Sequence, residues 1–232
     1  MSCLFTSSIG KKLIMSISGV VLVLFLLFHA TMNVIAIFSE EMYNDICALL
    51  GANWYAVLGT AALGAIVAIH FIYAFVLTIQ NRKARGKDRY AVTKKPKPVE
   101  WASQNMLVLG IIVIGFLGLH FSHFWYKMMF TELMGHHTVN LGGEVVSPQD
   151  GAAFIKYYFS HLWIVVAYLV WYVALWFHLS HGFWSALQTI GWNGKTWFNR
   201  WKVISNILAT AICLAFAAVT IFFYLKSIYC LC

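Results

Sequence analysis

Long apolar runs, broken by short polar stretches, set the pattern of this chain. Five of them, at about 12–38, 53–81, 101–129, 156–189 and 202–226, each exceed the roughly 20 residues that a helix needs to cross a bilayer core. They predict one membrane domain over residues 1–232, an all-α integral membrane fold of five spanning helices. The first run is too long for a signal peptide and lacks a small-residue cleavage site, so it reads as a retained helix. Between the runs lie two longer polar segments. One is "NRKARGKDRYAVTKKPKPVE" (Asn81 to Glu100), charged and closed by Pro96 and Pro98, which stops one helix before the next begins. The other is the Gly-rich "TELMGHHTVNLGGEVVSPQDGAA", equally compatible with an ordered cap and with a mobile loop.

Composition agrees with the pattern. Hydrophobic residues make up 61% of the 232 and charged residues only 10%, against about 25% in a soluble domain. Charge then gives orientation. Lys11, Lys12, the eight basic residues from Arg82 to Lys97, and Lys195, Arg200 and Lys202 fall on one side of the spans. Lys127, Lys156 and Lys226 fall on the other, together with Glu40, Glu41, Asp45, Glu132, Glu144 and Asp150. The positive-inside rule places the N-terminus in the cytoplasm and the C-terminus outside, as in a bacterial cytoplasmic (inner) membrane. The net charge of +8 is thus a topology signal rather than a nucleic-acid one. The basic 81–100 segment is a surface for anionic lipid or for a soluble partner. Cys3, Cys47, Cys213, Cys230 and Cys232 form no metal-binding spacing.

The candidate chemistry lies in the histidines. Seven of the nine fall within the spans: His29, His70, His120, His123, His161, His178 and His181. His136 and His137 fall in the outer loop and are expected to face solvent. An ionisable group inside a bilayer is a functional candidate. An interhelical hydrogen bond accounts for one or two histidines, but not for seven in spans with no deep carboxylate or basic partner. Depth sorts them. At about 1.5 Å per residue, His29 and His120 lie at roughly 25 and 28 Å from the cytoplasmic side, and His70 and His178 at roughly 16 and 18 Å. Four helices therefore offer two matched levels. A pair of neutral imidazoles from facing helices is how a bundle holds a haem by both axial positions.

His123, at roughly 33 Å, falls outside a core of about 30 Å, which favours His120 as the deep ligand. His181 lies at roughly 14 Å, and depth alone does not separate it from His178. His161 sits at the outer end of the fourth run, within reach of a haem propionate or a quinone. Gly19 and Gly110 stand ten residues before His29 and His120, where a missing side chain leaves room for a flat macrocycle; ordinary close helix packing is the competing account. Most tryptophans fall near span ends, as an interfacial belt does, with Trp171 and Trp176 deeper. A zinc hydrolase is a poor fit, because HxxH lacks the spacing and the glutamate of HExxH. A membrane di-iron oxygenase needs a larger histidine cluster than either pair offers.

Four segments carry a family resemblance: "SSIGKKLIMSISGVVLVLFLLFHATMN", "AIHFIYAFV", "NMLVLGIIVIGFLGLHFSHFW" and "FHLSHGFWSALQTIGW". In order and spacing they resemble the cytochrome b membrane-anchor subunit of succinate dehydrogenase and fumarate reductase, in its single-chain, five-helix, two-haem form typical of Bacteroidetes. The resemblance implies His29 and His120 as ligands of a distal haem b and His70 and His178 as ligands of a proximal one. It also places His181 at a variable position, leaving His123, His161 and His181 as candidates for groups around the haems. It implies electron transfer between an iron–sulfur subunit and a quinone, menaquinone being the expected one, as the non-catalytic quinone-reactive part of an enzyme complex. FAD and iron–sulfur clusters would reside in the flavoprotein and iron–sulfur partner subunits, and a dimer of heterotrimers is one assembly open to the complex. The 81–100 segment and Lys195 to Lys202 would form part of the docking surface. Two departures stand out: Leu50 and Trp176 occupy positions where some fumarate reductases of the family carry glutamates, and Glu40, Glu41 and Asp45 are the nearby acids. The b-type subunit of another membrane oxidoreductase, such as a hydrogenase or formate dehydrogenase, would share the ligands but not the four segments.

Overall fold

The computed structural model describes residues 7–85 and 101–229. Lys87, Arg89, Lys94, Lys95, Pro96, Lys97 and Pro98 of the basic segment, with Cys3, Cys230 and Cys232, lie outside the described residues.

Ser7 starts the first helix by accepting the Gly10 N–H at 3.0 Å, and α1 then runs Ser8–Phe38. Ser39 ends it and begins the next. Its N–H donates to the Ile35 carbonyl, while its hydroxyl accepts the Met42 N–H at 3.1 Å and caps α2 (Glu40–Leu49). Glu40 and Glu41 in the first turn of α2 complement the helix dipole. Next come α3 (Trp54–Arg85) and α4 (Trp101–His120). From His120 the backbone continues as a π-helical segment, Phe121–Phe130, and a last α turn, α5 (Thr131–Leu133). The two outer-loop strands β1 (Val139–Leu141) and β2 (Glu144–Val146) form an antiparallel hairpin. Gly142 and Gly143 close it with φ of +62° and +106°, the left-handed pair that a two-residue hairpin turn requires. Asp150 caps α6 (Gly151–Phe159) by accepting the Ala153 N–H, and α7 (Leu162–Ile190) and α8 (Lys195–Tyr229) complete the chain.

Among the described residues, five helices are long and apolar enough to cross a membrane: α1, α3, α4 with its continuation to Leu133, α7 and α8. This is the organisation of an all-α membrane protein, with one small hairpin outside the spans. α7 and α8 form its centre. Ile212, Thr220 and Phe223 of α8 are fully buried, and the Tyr172 and Thr220 hydroxyls share a 3.0 Å hydrogen bond. α1 packs on α3, α7 and α8, whereas α3 touches α1 and, slightly, α4. Large side chains such as Leu24, Leu58, Val108, Val170 and Leu214 are exposed around the bundle, an apolar surface suited to lipid.

The observed boundaries correct two expectations and decide a question that the sequence left open. The run 156–189 is not one helix. Ser160 Oγ and His161 Nδ1 both donate to the Tyr157 carbonyl, at 2.8 Å each, and His161 is extended, so the chain breaks between α6 and α7. Lys195, Arg200 and Lys202 lie in the first turns of α8 rather than in a link before it. The outer segment is an ordered cap. Its hairpin buries Leu141 and Val146 in the core, and α6 packs on α2, α7 and α8, with Phe154 and Ile155 fully buried.

Candidate functional site

Four helices point one imidazole each into the bundle. His29 of α1 and His120 at the end of α4 face each other, ring centroids 5.8 Å apart and planes at 80°. His70 of α3 and His178 of α7 do the same at 6.3 Å and 72°. Two imidazoles bound on opposite sides of one metal, with bonds of about 2 Å each, have centroids about 6 Å apart once the ring radii are added. Both pairs stand at that separation. Among the described residues no three His, Cys, Asp or Glu side chains converge on one point. Each pair thus brings together two imidazoles and no third such side chain.

The walls of the outer pair are aromatic. His29 stacks on Phe25 at 5.5 Å and meets Phe216 at 5.6 Å, while His120 meets Phe124 at 5.2 Å, Trp171 at 5.8 Å and Tyr168 at 6.3 Å. Asn33, one turn beyond His29, donates to the His29 carbonyl at 2.8 Å; its amide nitrogen stands 3.4 Å from His29 Nδ1, and its oxygen accepts from Tyr43. The inner pair has polar and small neighbours. Ser18 Oγ lies 3.1 Å from His70 Nδ1. Gly19 and Gly110 lie beside this inner pair rather than beside their own helices' histidines: a Cβ at Gly19 would stand 3.2 Å from His70 Cε1, and one at Gly110 3.6 Å from His178 Cε1. Gly19 thus makes room for the His70 ring, whereas Gly110 borders His178 at ordinary contact distance.

Several buried polar atoms have no partner among the described residues: Nδ1 of His120 and of His178, Nε1 of Trp125 and of Trp171, and Oγ of Ser205. An unsatisfied buried group costs about 1–3 kcal/mol. Two of the five belong to the paired imidazoles, and Trp171 touches His120. Three of the five atoms thus lie on or beside the paired rings.

The second histidine of each sequence motif is placed otherwise. His29, His70, His120 and His178 are only partly covered by protein, whereas His123 and His181 are each 9% exposed. His123 lies flat on Tyr158 at 4.2 Å and hydrogen-bonds the Tyr168 hydroxyl at 3.3 Å. His181 meets Trp184 edge-on at 4.9 Å. Neither ring is a member of the facing pairs. His161 is held by the Tyr157 carbonyl at the α6–α7 break, and His136 and His137 are exposed before the hairpin. Leu50 is partly exposed in the turn after α2, and Trp176 donates to Thr210 at 2.9 Å. Of the nearby acids, Glu40 is ion-paired with both Lys156 and Lys226, while Glu41 and Asp45 are exposed.

Compared with protein-family models, with curated proteins and with solved structures, the chain has no significant match. The arrangement of its own residues therefore carries the functional reading.

Sequence reasoning overlooked Ser18, Asn33, Tyr43, Tyr158 and Tyr168. Asn33 had a legible signal, because residues four apart on a helix are neighbours. Ser18, Tyr158 and Tyr168 reach their histidines only through tertiary contacts between helices, and Tyr43 reaches Asn33 in the same way.

Proposed function

We propose that this chain is the di-haem cytochrome b anchor of a succinate:quinone oxidoreductase, a succinate dehydrogenase or fumarate reductase. The observation that carries this reading is the facing of His29 with His120 and of His70 with His178, each at the separation that suits an interposed iron. The four resembling segments supply the class of complex.

When bound, a haem supplies a one-electron carrier at each level. The chain's residues do the rest. His29 and His120 would hold the distal haem and His70 and His178 the proximal one, through neutral nitrogens that bring no charge into the membrane. Phe25, Phe124, Trp171 and Phe216 exclude water around the outer pair. The distribution of basic residues puts the proximal level nearer the cytoplasm, where the iron–sulfur and flavoprotein subunits would dock. Arg82 and Lys83 at the end of α3 and Lys195 and Arg200 at the start of α8 offer part of that basic surface. Electrons would pass between the docked iron–sulfur subunit and a membrane quinone, and the chain would anchor both soluble subunits.

The test is a visible spectrum of the protein purified with whatever accompanies it. Low-spin b-type bands with a haem-to-chain ratio near two, and co-purification of a flavoprotein and an iron–sulfur protein, are the expected result. A ratio near one would overturn the pairing. Two haems with hydrogenase or formate dehydrogenase partners would move the chain to another oxidoreductase, and the absence of haem would overturn the reading altogether.

A further inference from the structure

Among the described residues, one of the four paired imidazoles is held by a hydroxyl. The Ser18 hydroxyl donates to the Met15 carbonyl at 3.0 Å within α1, and the same oxygen lies 3.1 Å from His70 Nδ1 on α3. A hydroxyl has one hydrogen and two lone pairs. With its hydrogen committed to Met15, Ser18 can only accept from His70. Nδ1 of His70 therefore carries the proton, and Nε2 is left bare for a metal. The neighbouring residue completes the seat. Gly19 has no Cβ, and one placed there would stand 3.2 Å from His70 Cε1, tighter than ordinary contact. The consecutive pair Ser18–Gly19 thus fixes both the tautomer and the position of the ring across the α1–α3 contact.

The other three rings lack this arrangement. Nδ1 of His120 and of His178 has no partner among the described residues, and Nδ1 of His29 faces an amide nitrogen at 3.4 Å.

We infer that Ser18 is a positioning residue for His70 that raises the donor strength of its Nε2 and so lowers the reduction potential of the inner haem. The inference rests on the di-haem reading above. A ring N–H given to an oxygen acceptor makes the opposite nitrogen a stronger base, and a stronger base favours the more highly charged ferric iron over the ferrous. Removal of such a partner typically costs 10–100-fold in affinity. If about tenfold of that falls on the ferric form, the inner midpoint potential rises by about 59 mV for one electron.

The experiment is redox potentiometry, followed by visible spectra, on the complex purified as wild type, Ser18→Ala and Ser18→Thr. The expected result is an upward shift of one haem in Ser18→Ala, no shift of the other, and a near-wild-type value in Ser18→Thr, which keeps the hydroxyl. Loss of one haem in Ser18→Ala, with both retained in Ser18→Thr, also supports the inference. Unshifted potentials with both haems present, an equal shift in the two variants, or loss of both haems in Ser18→Ala would overturn it. Absence of haem from the wild type would instead strike the di-haem reading.

Discussion

His120 and His123 stand three residues apart on one continuous helical run, yet they meet different partners. His120 ends α4 and faces His29; His123 lies on the π-helical segment and stacks on Tyr158. A π-helix turns the chain less per residue than an α-helix, so position 123 rotates further from His120 than three α-helical steps would leave it. Hence His120→Ala is expected to remove one of two haems while His123→Ala keeps both, as read from pyridine haemochrome content. The reverse pattern would overturn the assignment. The glycines allow a finer comparison. A Cβ at Gly110 would meet His178 at an ordinary 3.6 Å, whereas one at Gly19 would press on His70 at 3.2 Å. Gly19→Ala should therefore broaden or deplete the inner haem's low-spin signal, and Gly110→Ala should leave it near wild type, as low-temperature electron paramagnetic resonance would show.

At the scale of elements, the outer cap depends on a few polar ties. Glu40 at the start of α2 holds Lys156 of α6 and, at 3.0 Å, Lys226 of α8. Burial alone would raise its carboxyl pKa. The hydrogen bonds and charges of the two lysines outweigh burial and hold the carboxyl below its ordinary value. A carboxyl depressed in the folded state contributes stability that is present above its unfolded pKa, near about 4.3, and is lost as pH falls through the folded value. The side chains are partly exposed, which limits the contribution to about 1 kcal/mol or less. Glu40→Gln is expected to lower Tm slightly at pH 7 and low salt, and the difference from wild type should shrink as pH falls below the ordinary glutamate range, vanishing once the folded carboxyl is protonated, or at high salt. At the opposite end of the bundle, Gly191 ends α7 at φ +98° and lets the Trp192 N–H return to the Leu187 carbonyl at 2.9 Å. Gly191→Ala should cost about 1–2 kcal/mol through left-handed strain alone, measurable as a lower Tm with unchanged haem content.

At the scale of the whole molecule, orientation and stoichiometry are the quantities to measure. The basic bias predicts a cytoplasmic N-terminus and an external C-terminus. Fusions active only in the periplasm should therefore work at the C-terminus and fail after Arg85. The opposite result would invert the order of the two haem levels relative to the soluble partners. α3 is the least embedded span, with none of its residues buried in the most apolar window. It nevertheless supplies His70, and its tie to α1 passes through Ser18 and Gly19. Haem at the inner level would add a bond between α3 and α7. Chelation-resistant haem binding should thus raise the thermal stability of the inner half of the bundle, and His178→Ala should lower it more than the loss of one buried side chain explains.

The sequence by itself determined the number and approximate extent of the spanning helices, because apolar run length is a one-dimensional property matched to bilayer thickness. It also sorted His29, His70 and His120 into two levels by depth, because rise per residue converts position in a helix into height, but left His178 and His181 unseparated. Height is blind to rotation about the helix axis and to which helices are neighbours. Only the tertiary structure therefore decided that Gly19 and Gly110 lie beside the inner pair and that the Ser18 hydroxyl reaches a ring 52 residues away. The break at Ser160–His161 depended on local side-chain hydrogen bonds to the Tyr157 carbonyl, which compete with the helix inside an apolar run too continuous to show it. The separate placement of His123 followed from a change of helical pitch after His120, which leaves no mark in the pattern of apolar residues.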